Sequence, residues 1–126
     1  MEKQKVKVSI VISSYNYGSY VKKAIDSALA QDYREGFEVI VVNDASTDET
    51  EGVCKQYLNA ITYLRNEKNI GYPATVNKGI GVARGNYVCI LDADDTLFPD
   101  ALKLYAKALD NFPFVGFVYG DIMRVN

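Results

Sequence analysis

The chain has 126 residues, of which 48% are apolar and 24% charged, which suffices for one domain with a packed core but not for two domains of ordinary size. Its net charge of −2 provides no basic surface for nucleic acid, and no apolar run approaches the roughly 20 residues needed to span a bilayer. The sequence contains no histidine, which excludes a histidine-based triad or zinc site.

The N-terminus and the two cysteines bear on the cellular compartment. No signal peptide is predicted, because the first five residues are followed by only about eight mostly apolar residues. Cys54 lies in a helical pattern and Cys89 in an apolar strand, so both are expected to be small core residues rather than a disulfide pair. We expect a cytoplasmic location, with peripheral attachment at the inner face of a membrane left open for a longer protein.

Strand-like and helical patterns alternate along the chain. The first strand is predicted at residues 6–13 and is followed by helical spacing of apolar residues over 20–29. A capping-box pattern at 46–49 predicts the start of a second helix, and Pro73 suits the first turn of a third. The predicted strands are 6–13, 37–42, 61–64, 87–91 and 114–119, and the predicted helices are 20–29, 46–58, 73–83 and 99–109. This order predicts an α/β fold with a mostly parallel sheet and helices on both faces.

Polar residues follow three of the predicted strands. Residues 13–16 follow the first strand, Asn43 and Asp44 the second, and residues 92–94 the fourth. Because ligands of parallel α/β sheets bind at the carboxyl ends of the strands, these clusters are expected to meet at one edge.

The acidic motif after the fourth strand is a candidate metal site. Asp92, Asp94 and Asp95 end an apolar run, where carboxylates cannot remain unpaired inside a core. Alternation along an extended backbone puts Asp92 and Asp94 on one side, where they can share Mg²⁺ or Mn²⁺ with phosphate oxygens. The alternative is that these acids only form a loop and cap the helix that follows.

The other two strand ends suggest what would lie beside the metal. No glycine-rich phosphate loop follows any strand, so phosphate would be held by a metal or by side chains. Tyr15 could stack on a base, and Asp44 could accept the N–H of a pyrimidine. Tyr15 could equally serve packing, and Asp44 could cap a turn. Together the three clusters suggest a metal–nucleotide site.

Four motifs resemble family 2 glycosyltransferases with the Rossmann-like GT-A fold. They are VSIVISSYNY at 8–17, FEVIVVNDASTD at 37–48, NIGYPATVNKG at 69–79 and ARGNYVCILDADD at 83–95, and they cover most of the chain in the family's order. The resemblance implies an inverting enzyme of polysaccharide biosynthesis with a nucleotide-diphosphate-sugar donor and a divalent metal. It implies that Ser13 and Tyr15 line the base pocket, that Asp44 contacts the base, and that Asp92 and Asp94 of the DXD motif serve the ribose, sugar phosphate and metal. Asn77 is a further candidate for nucleotide binding, although Asn77 and Gly79 could instead serve helix packing.

The resemblance also implies a catalytic base, which in the family lies well downstream of the acidic motif. Asp100, Asp110 and Asp121 are the acids after Asp95, and none is a convincing base. We therefore expect residues 1–126 to be a single nucleotide-sugar-binding domain, truncated at its C-terminus, with the base beyond Asn126. The acceptor, whether saccharide, lipid or protein, stays open.

The sequence departs from the family pattern at three positions. Asn43 and Ala45 flank a single acid at Asp44, where the family has two acids and a glycine. Val76 stands where many members have arginine, so a phosphate contact is missing. Lys78 or Arg84 could replace it, and the alternative is that both are solvated charges on the helix surface.

Two other functions are compatible with the acidic motif. One is a fragment that binds nucleotide and metal without catalysis. The other is a phosphatase of the haloacid dehalogenase type, with Asp92 as nucleophile and Asp94 as acid or base. That motif normally follows the first strand, whereas Asp92 follows the fourth.

Overall fold

The computed structural model describes residues 5–120 and 123–124. Strands and helices alternate in the predicted order, from β1 to α4. The strands are β1 (Val8–Ser14), β2 (Phe37–Asn43), β3 (Thr62–Arg65) and β4 (Tyr87–Asp92), and the helices are α1 (Gly18–Leu29), α2 (Thr50–Lys55), α3 (Tyr72–Val82) and α4 (Ala101–Asn111).

The four strands form a parallel sheet in the order β3-β2-β1-β4. β1 lies between β2 and β4, with Ser13 opposite Val42 on one side and Asp92 on the other. All seven residues of β1 are buried, as expected for a strand covered on both faces. This pairing brings the carboxyl ends of β1, β2 and β4 to one edge of the sheet.

Helices cover both faces of the sheet. Ile10 and Ile12 of β1 point into the larger core, which also contains Ile25 of α1 and Leu102 of α4. Val11 points to the opposite face, which is covered by α3. The predicted α/β fold with helices on both faces is therefore confirmed.

Gly79 allows α3 to approach the sheet closely. A Cβ atom at this position would lie 2.4 Å from Cγ1 of Val11 on β1 and 3.3 Å from Cγ2 of Val42 on β2. The helix could not keep this distance with any larger side chain, since core packing leaves no spare volume. Gly79 therefore serves helix packing, which was one of its two expected roles.

The second helix is shorter than the sequence predicts. Residues 46–58 were expected to be helical, but α2 spans only Thr50–Lys55. Ser46 and Asp48 lie in the loop before it, where Asp48 Oδ1 accepts a hydrogen bond from the Thr50 backbone N–H at 3.0 Å. Asp48 thus satisfies a free N–H group at the helix start, while Ser46 makes contacts elsewhere.

The predicted strand at 114–119 is wrong. Among the described residues, β4 pairs only with β1, and 114–119 belong to no strand. Phe114 is fully exposed, and Phe117 and Tyr119 are largely exposed. Their apolar and aromatic character favours an extended backbone, but a strand forms only where a neighbouring strand completes its hydrogen bonds.

Both cysteines are free, as expected. Burial raises the pKa of the Cys54 thiol, assisted by the charges of Glu51 and Asp48, and burial alone raises the pKa of the Cys89 thiol, in each case to about 11. Neither is therefore a reactive thiolate at neutral pH. Within the described part of the chain, no helix is long and apolar enough to cross a membrane.

Candidate functional site

A cavity of about 270 Å³ opens at the carboxyl edge of the sheet. It is lined by five of the six predicted site residues, from all three strand ends. These are Ser13, Tyr15, Asp44, Asp92 and Asp94. Parallel pairing of β2 and β4 with β1 brings these side chains together, although they are up to 81 residues apart in the chain (94 − 13 = 81).

Asn77, the sixth predicted residue, is not part of the cavity lining. It lies on α3 and is exposed. Its role in nucleotide binding stays a prediction. Thr75 is the residue of this part of α3 that does line the cavity.

The cavity includes five residues that were given no role of their own from the sequence, although two of them lie in the clusters 13–16 and 92–94. They are Ser14, Tyr17, Tyr72, Thr75 and Ala93. All five lie within two residues of a predicted site residue or of the start of α3, so proximity in sequence was an available signal. Thr75, two residues before Asn77, reaches the cavity through the packing of α3 against the sheet. The oxygen of the Ser14 side chain is buried, and no described residue forms a hydrogen bond with it.

The Asp44 carboxylate is already engaged by protein donors. Oδ1 accepts hydrogen bonds from the Asn66 side-chain amide at 3.0 Å and from the Ile70 backbone N–H at 2.8 Å. Oδ2 accepts one from the Gly71 N–H at 3.0 Å. Asp44 is only 3% exposed. A carboxylate has about four acceptor positions, so Asp44 keeps capacity for a ligand donor.

These hydrogen bonds set the charge of Asp44. Burial opposes ionisation, but the hydrogen bonds from Asn66, Ile70 and Gly71 outweigh it, and the pKa of the carboxyl is lowered. Asp44 is therefore ionised at neutral pH. Its neighbour Asn43, which replaces a family acid, is fully buried, and its Oδ1 accepts the Ser46 N–H at 3.0 Å. A neutral amide at this position avoids burying a second negative charge beside Asp44.

The loops after β1 and β2 are joined by side-chain hydrogen bonds. The Asn16 backbone N–H donates to Ser46 Oγ at 3.0 Å, and Asn16 Oδ1 accepts from the Thr47 N–H at 2.8 Å. Asp48 Oδ2 accepts from the Gly18 N–H at 2.9 Å. These contacts fix the backbone directly after Tyr15.

Each of these loops contains a residue with a left-handed backbone. Asn16 and Ala45 both have φ of 56°. Asn adopts this conformation comparatively easily, whereas Ala carries a Cβ that makes it unfavourable by about 1 kcal/mol. A glycine, which the resemblance implies at the position of Ala45, would avoid this strain.

The acidic motif is open to solvent. Asp92, Asp94 and Asp95 are exposed, and each offers a carboxylate oxygen within 4.8 Å of the other two. Burial raises the pKa of the Asp95 carboxyl, and the neighbouring charges of Asp94 and Asp92 raise it further. Three hard oxygen donors on one turn, with concentrated negative charge, fit Mg²⁺ or Mn²⁺. Asp95 extends the predicted pair of acids to three.

Tyr72 connects the start of α3 to this motif. Its hydroxyl donates a hydrogen bond to Asp92 Oδ1 at 3.0 Å. Burial, together with Asp92, raises the pKa of the Tyr72 hydroxyl, so the group remains protonated and able to donate. Both ends of this hydrogen bond line the cavity.

Neither basic residue considered as a phosphate contact lines the cavity. Lys78 Nζ donates to Asn66 Oδ1 at 2.7 Å, which supports the residue that holds Asp44. Arg84 Nε pairs with Glu38 Oε1 at 3.1 Å. Glu38 lies near the amino end of β2, at the opposite edge of the sheet from the cavity. Val76, at the family's arginine position, is buried.

The parallel sheet, its helices on both faces and the acidic cavity at its carboxyl edge define a Rossmann-like GT-A fold. The chain belongs to the glycosyltransferases of family 2, because the family model Glycosyl transferase family 2 matches residues 9–125. The family also decides against the dehalogenase-type phosphatase, whose acidic motif would follow the first strand rather than β4.

Individual relatives agree with the family. An uncharacterized glycosyltransferase of Rickettsia prowazekii is 45% identical over 96 residues, which are 76% of this chain and 30% of that protein. Residues 1–349 of TarS from S. aureus, solved in complex with UDP, have a TM-score of 0.78 and 31% identity over 86% of this chain and 33% of that chain. TarS has also been solved with UDP-GlcNAc.

A second solved structure carries both a nucleotide sugar and a metal. The mannosyltransferase PcManGT of Pyrobaculum calidifontis, in complex with GDP-Man and Mn²⁺, has a TM-score of 0.69 and 29% identity over 78% of this chain and 30% of that chain. This chain therefore spans 30 to 33% of the length of the Rickettsia protein, of residues 1–349 of TarS and of the solved PcManGT chain.

Proposed function

We propose that this domain binds the nucleotide-diphosphate-sugar donor of an inverting glycosyltransferase, which transfers the sugar to an acceptor hydroxyl. The observation that carries the proposal is the shared cavity: it combines an aromatic ring and a carboxylate for a base with a cluster of acids for a metal, in a member of family 2. The solved relatives with UDP, UDP-GlcNAc and GDP-Man support this class of donor.

The proposed roles follow from the position of each side chain. Tyr15, which is 47% exposed at the cavity, would stack on the base, and Ser13 would line the same pocket. Asp44 would accept a base N–H with the acceptor capacity that its protein donors leave free. Asn77 stays a predicted nucleotide contact.

The metal would be held by Asp92 and Asp94, joined by Asp95. A bound Mn²⁺ or Mg²⁺ supplies positive charge that stabilises the diphosphate leaving group. The three carboxylates of this chain concentrate negative charge at one end of the cavity, which attracts a cation and would repel an unaccompanied diphosphate.

In the proposed reaction the acceptor oxygen attacks the anomeric carbon from the side opposite the diphosphate. A new carbon–oxygen bond forms, the sugar–phosphate bond breaks, and the nucleoside diphosphate leaves with the bonding electron pair. The acceptor proton passes to a base.

The base stays a prediction for a residue beyond Asn126. Asp100 lies at the N-cap of α4, and Asp110 accepts hydrogen bonds from Lys7 and Tyr87, and neither lines the cavity. Asp121 lies outside the described residues. The proposal therefore assigns this chain the donor side of the reaction, as one domain at residues 1–126, and leaves the acceptor open. A cytoplasmic location belongs to the same proposal.

Calorimetric titration tests the proposal. The purified protein is titrated with UDP, GDP and dTDP, each with and without Mn²⁺, beside the variants Asp94→Ala and Asp100→Ala. Asp100 is a matched control, since it is an exposed acid outside the cavity. We expect metal-dependent binding that Asp94→Ala weakens at least tenfold and Asp100→Ala preserves.

Three results would contradict the proposal. One is a folded protein that binds none of the three nucleotides, and another is binding that ignores the metal. The third is equal loss of binding in both variants. An assay for transfer of the sugar, or for slow hydrolysis of the nucleotide-sugar donor, would distinguish catalysis from binding without turnover.

A further inference from the structure

Three consecutive residues, Ile70–Tyr72, connect the two acidic ends of the cavity. The backbone N–H groups of Ile70 and Gly71 donate to the Asp44 carboxylate at 2.8 and 3.0 Å. The next residue, Tyr72, donates its hydroxyl to Asp92 Oδ1 at 3.0 Å. We name these three residues the bridge segment. Gly71, which donates to Asp44, and Tyr72, which donates to Asp92, are adjacent in the chain, so a single peptide bond connects the two contacts.

The backbone of the bridge segment is constrained on both sides. Gly71 has φ of 88°, which a residue with a Cβ rarely adopts, and this conformation precedes the first turn of α3. Tyr72 opens that helix, and Pro73 follows in its first turn. The position of the Tyr72 side chain therefore depends on a backbone that Asp44 anchors.

The Asp92 carboxylate depends on Tyr72 for its orientation. In the described part of the chain, the Tyr72 hydroxyl is the donor that hydrogen-bonds to this carboxylate. Asp92 is exposed, and an exposed side chain with no other contact would rotate freely. A hydrogen bond from a helix-anchored phenol reduces that freedom before any ligand arrives.

We propose that Tyr72 is a positioning residue that orients Asp92 toward the metal and diphosphate half of the donor. It acts through Asp92 rather than on the base. Because Asp44 anchors the bridge segment, the ends of the cavity for base and metal are mechanically linked. This inference rests on the proposed function and deepens it, since it assigns the metal dependence of nucleotide binding to a residue outside the acidic motif.

The test distinguishes the effect of the Tyr72 hydroxyl from that of its ring, and distinguishes binding that depends on the metal from binding of the base. Tyr72→Phe keeps the ring and removes the donor. For this variant and the wild type, the affinities for UDP and GDP are measured with and without Mn²⁺. For each protein and nucleotide, the affinity with Mn²⁺ divided by the affinity without it is the enhancement by metal. The matched control is Tyr57→Phe, which also removes a tyrosine-to-aspartate hydrogen bond, to Asp26, at a position outside the cavity lining.

We expect Tyr72→Phe to lower the enhancement by metal about 3- to 10-fold, which corresponds to the net contribution of one ordinary hydrogen bond between exposed groups. The affinity without metal, the affinity for the free nucleoside and the melting temperature are expected to stay the same. In an Asp92→Asn background, where the enhancement is already reduced, adding Tyr72→Phe is expected to lower it no further, because groups that act as a unit are not additive.

Three outcomes overturn the positioning role while leaving the proposed function intact. They are an unchanged enhancement in Tyr72→Phe, an equal loss of affinity with and without metal, and a full further loss in the Asp92→Asn background. Tighter metal-dependent binding by Tyr72→Phe would also overturn it, since the hydroxyl would then compete with the ligand for Asp92. A folded wild type that binds neither nucleotide overturns the proposed function and this inference together.

Discussion

The two acidic ends of the cavity differ in how much of their hydrogen bonding the protein itself satisfies. Asp44 is 3% exposed and accepts hydrogen bonds from Asn66, Ile70 and Gly71. Asp92 and Asp94 are exposed, and for Asp92 the described structure contributes one side-chain donor, from Tyr72.

This difference separates two uses of the same side chain. At Asp44 a buried carboxylate organises the loop from Asn66 to Gly71, and that role would persist without any ligand. At the acidic motif the carboxylates keep their lone pairs for an incoming cation, and water solvates their charge meanwhile. We therefore expect Asp44 to matter for both folding and binding, and Asp92 and Asp94 to matter mainly for binding.

The largest expected effect is that of Asp44→Ala on stability. Removing the carboxylate leaves the Ile70 and Gly71 N–H groups without this acceptor and leaves the buried Asn66 amide with Thr75 Oγ1 alone, so we expect a loss of about 2–4 kcal/mol in the free energy of unfolding. Urea denaturation followed by circular dichroism measures it. A loss below 0.5 kcal/mol would mean that Asp44 does not organise this loop.

The second-largest expected effect is the stabilisation of the folded protein by bound metal. With Mn²⁺ at about 100 times its dissociation constant, the folded state should gain roughly 2.7 kcal/mol, and EDTA should reverse the gain. Asp94→Ala should abolish this gain while changing metal-free stability by no more than about 0.5 kcal/mol. Thermal melting with and without Mn²⁺ gives both numbers. A gain that survives in Asp94→Ala would place the cation elsewhere.

The contributions of Asp44 and Asp95 to the free energy of unfolding should change in opposite directions as the pH falls. The pKa of Asp44 is lowered in the folded state, so its contribution to stability is present above the unfolded pKa of roughly 3.9 and is lost as the pH falls through the lower folded value. The pKa of Asp95 is raised, so its ionisation disfavours the fold above its folded pKa, and acidification removes that penalty.

Stability measured against pH for Asp44→Asn and Asp95→Asn tests these opposite signs. The deficit of Asp44→Asn relative to wild type should shrink below about pH 4. Asp95→Asn should exceed wild type in stability at pH 7, with the advantage fading as the pH approaches about 4. Parallel curves for both variants and wild type would contradict the assignment.

The smallest expected effect is that of Ala45→Gly. Glycine adopts φ of 56° without steric penalty, although it also gains entropy in the unfolded state, so a net stabilisation of about 0.5 kcal/mol is expected. Gly52→Ala is a useful comparison, since this helical glycine has open space for a Cβ and should also gain stability, through helix propensity. Destabilisation by Ala45→Gly would show that Ala45 makes contacts outweighing its strain.

The sequence by itself determined the alternation of strands and helices and most of the site. Hydrophobic periodicity is local, so all four observed strands and all four helices were predicted, although the bounds of α2 were not. The rule that ligands bind at the carboxyl ends of parallel strands places Ser13, Tyr15, Asp44, Asp92 and Asp94 in one predicted site. Pairing of β1 with β2 and β4 confirms that these residues share a cavity.

Only the tertiary structure decided which of these groups are already engaged. The hydrogen bonds of Asp44 come from residues 22 to 27 positions later, and the one to Asp92 from a tyrosine 20 positions earlier. The segment at 114–119 has strand-like residues but no neighbouring strand among the described residues. In each case the outcome depends on partners distant in the chain, since hydrogen-bond donors and pairing strands are supplied by the folded arrangement rather than by local sequence.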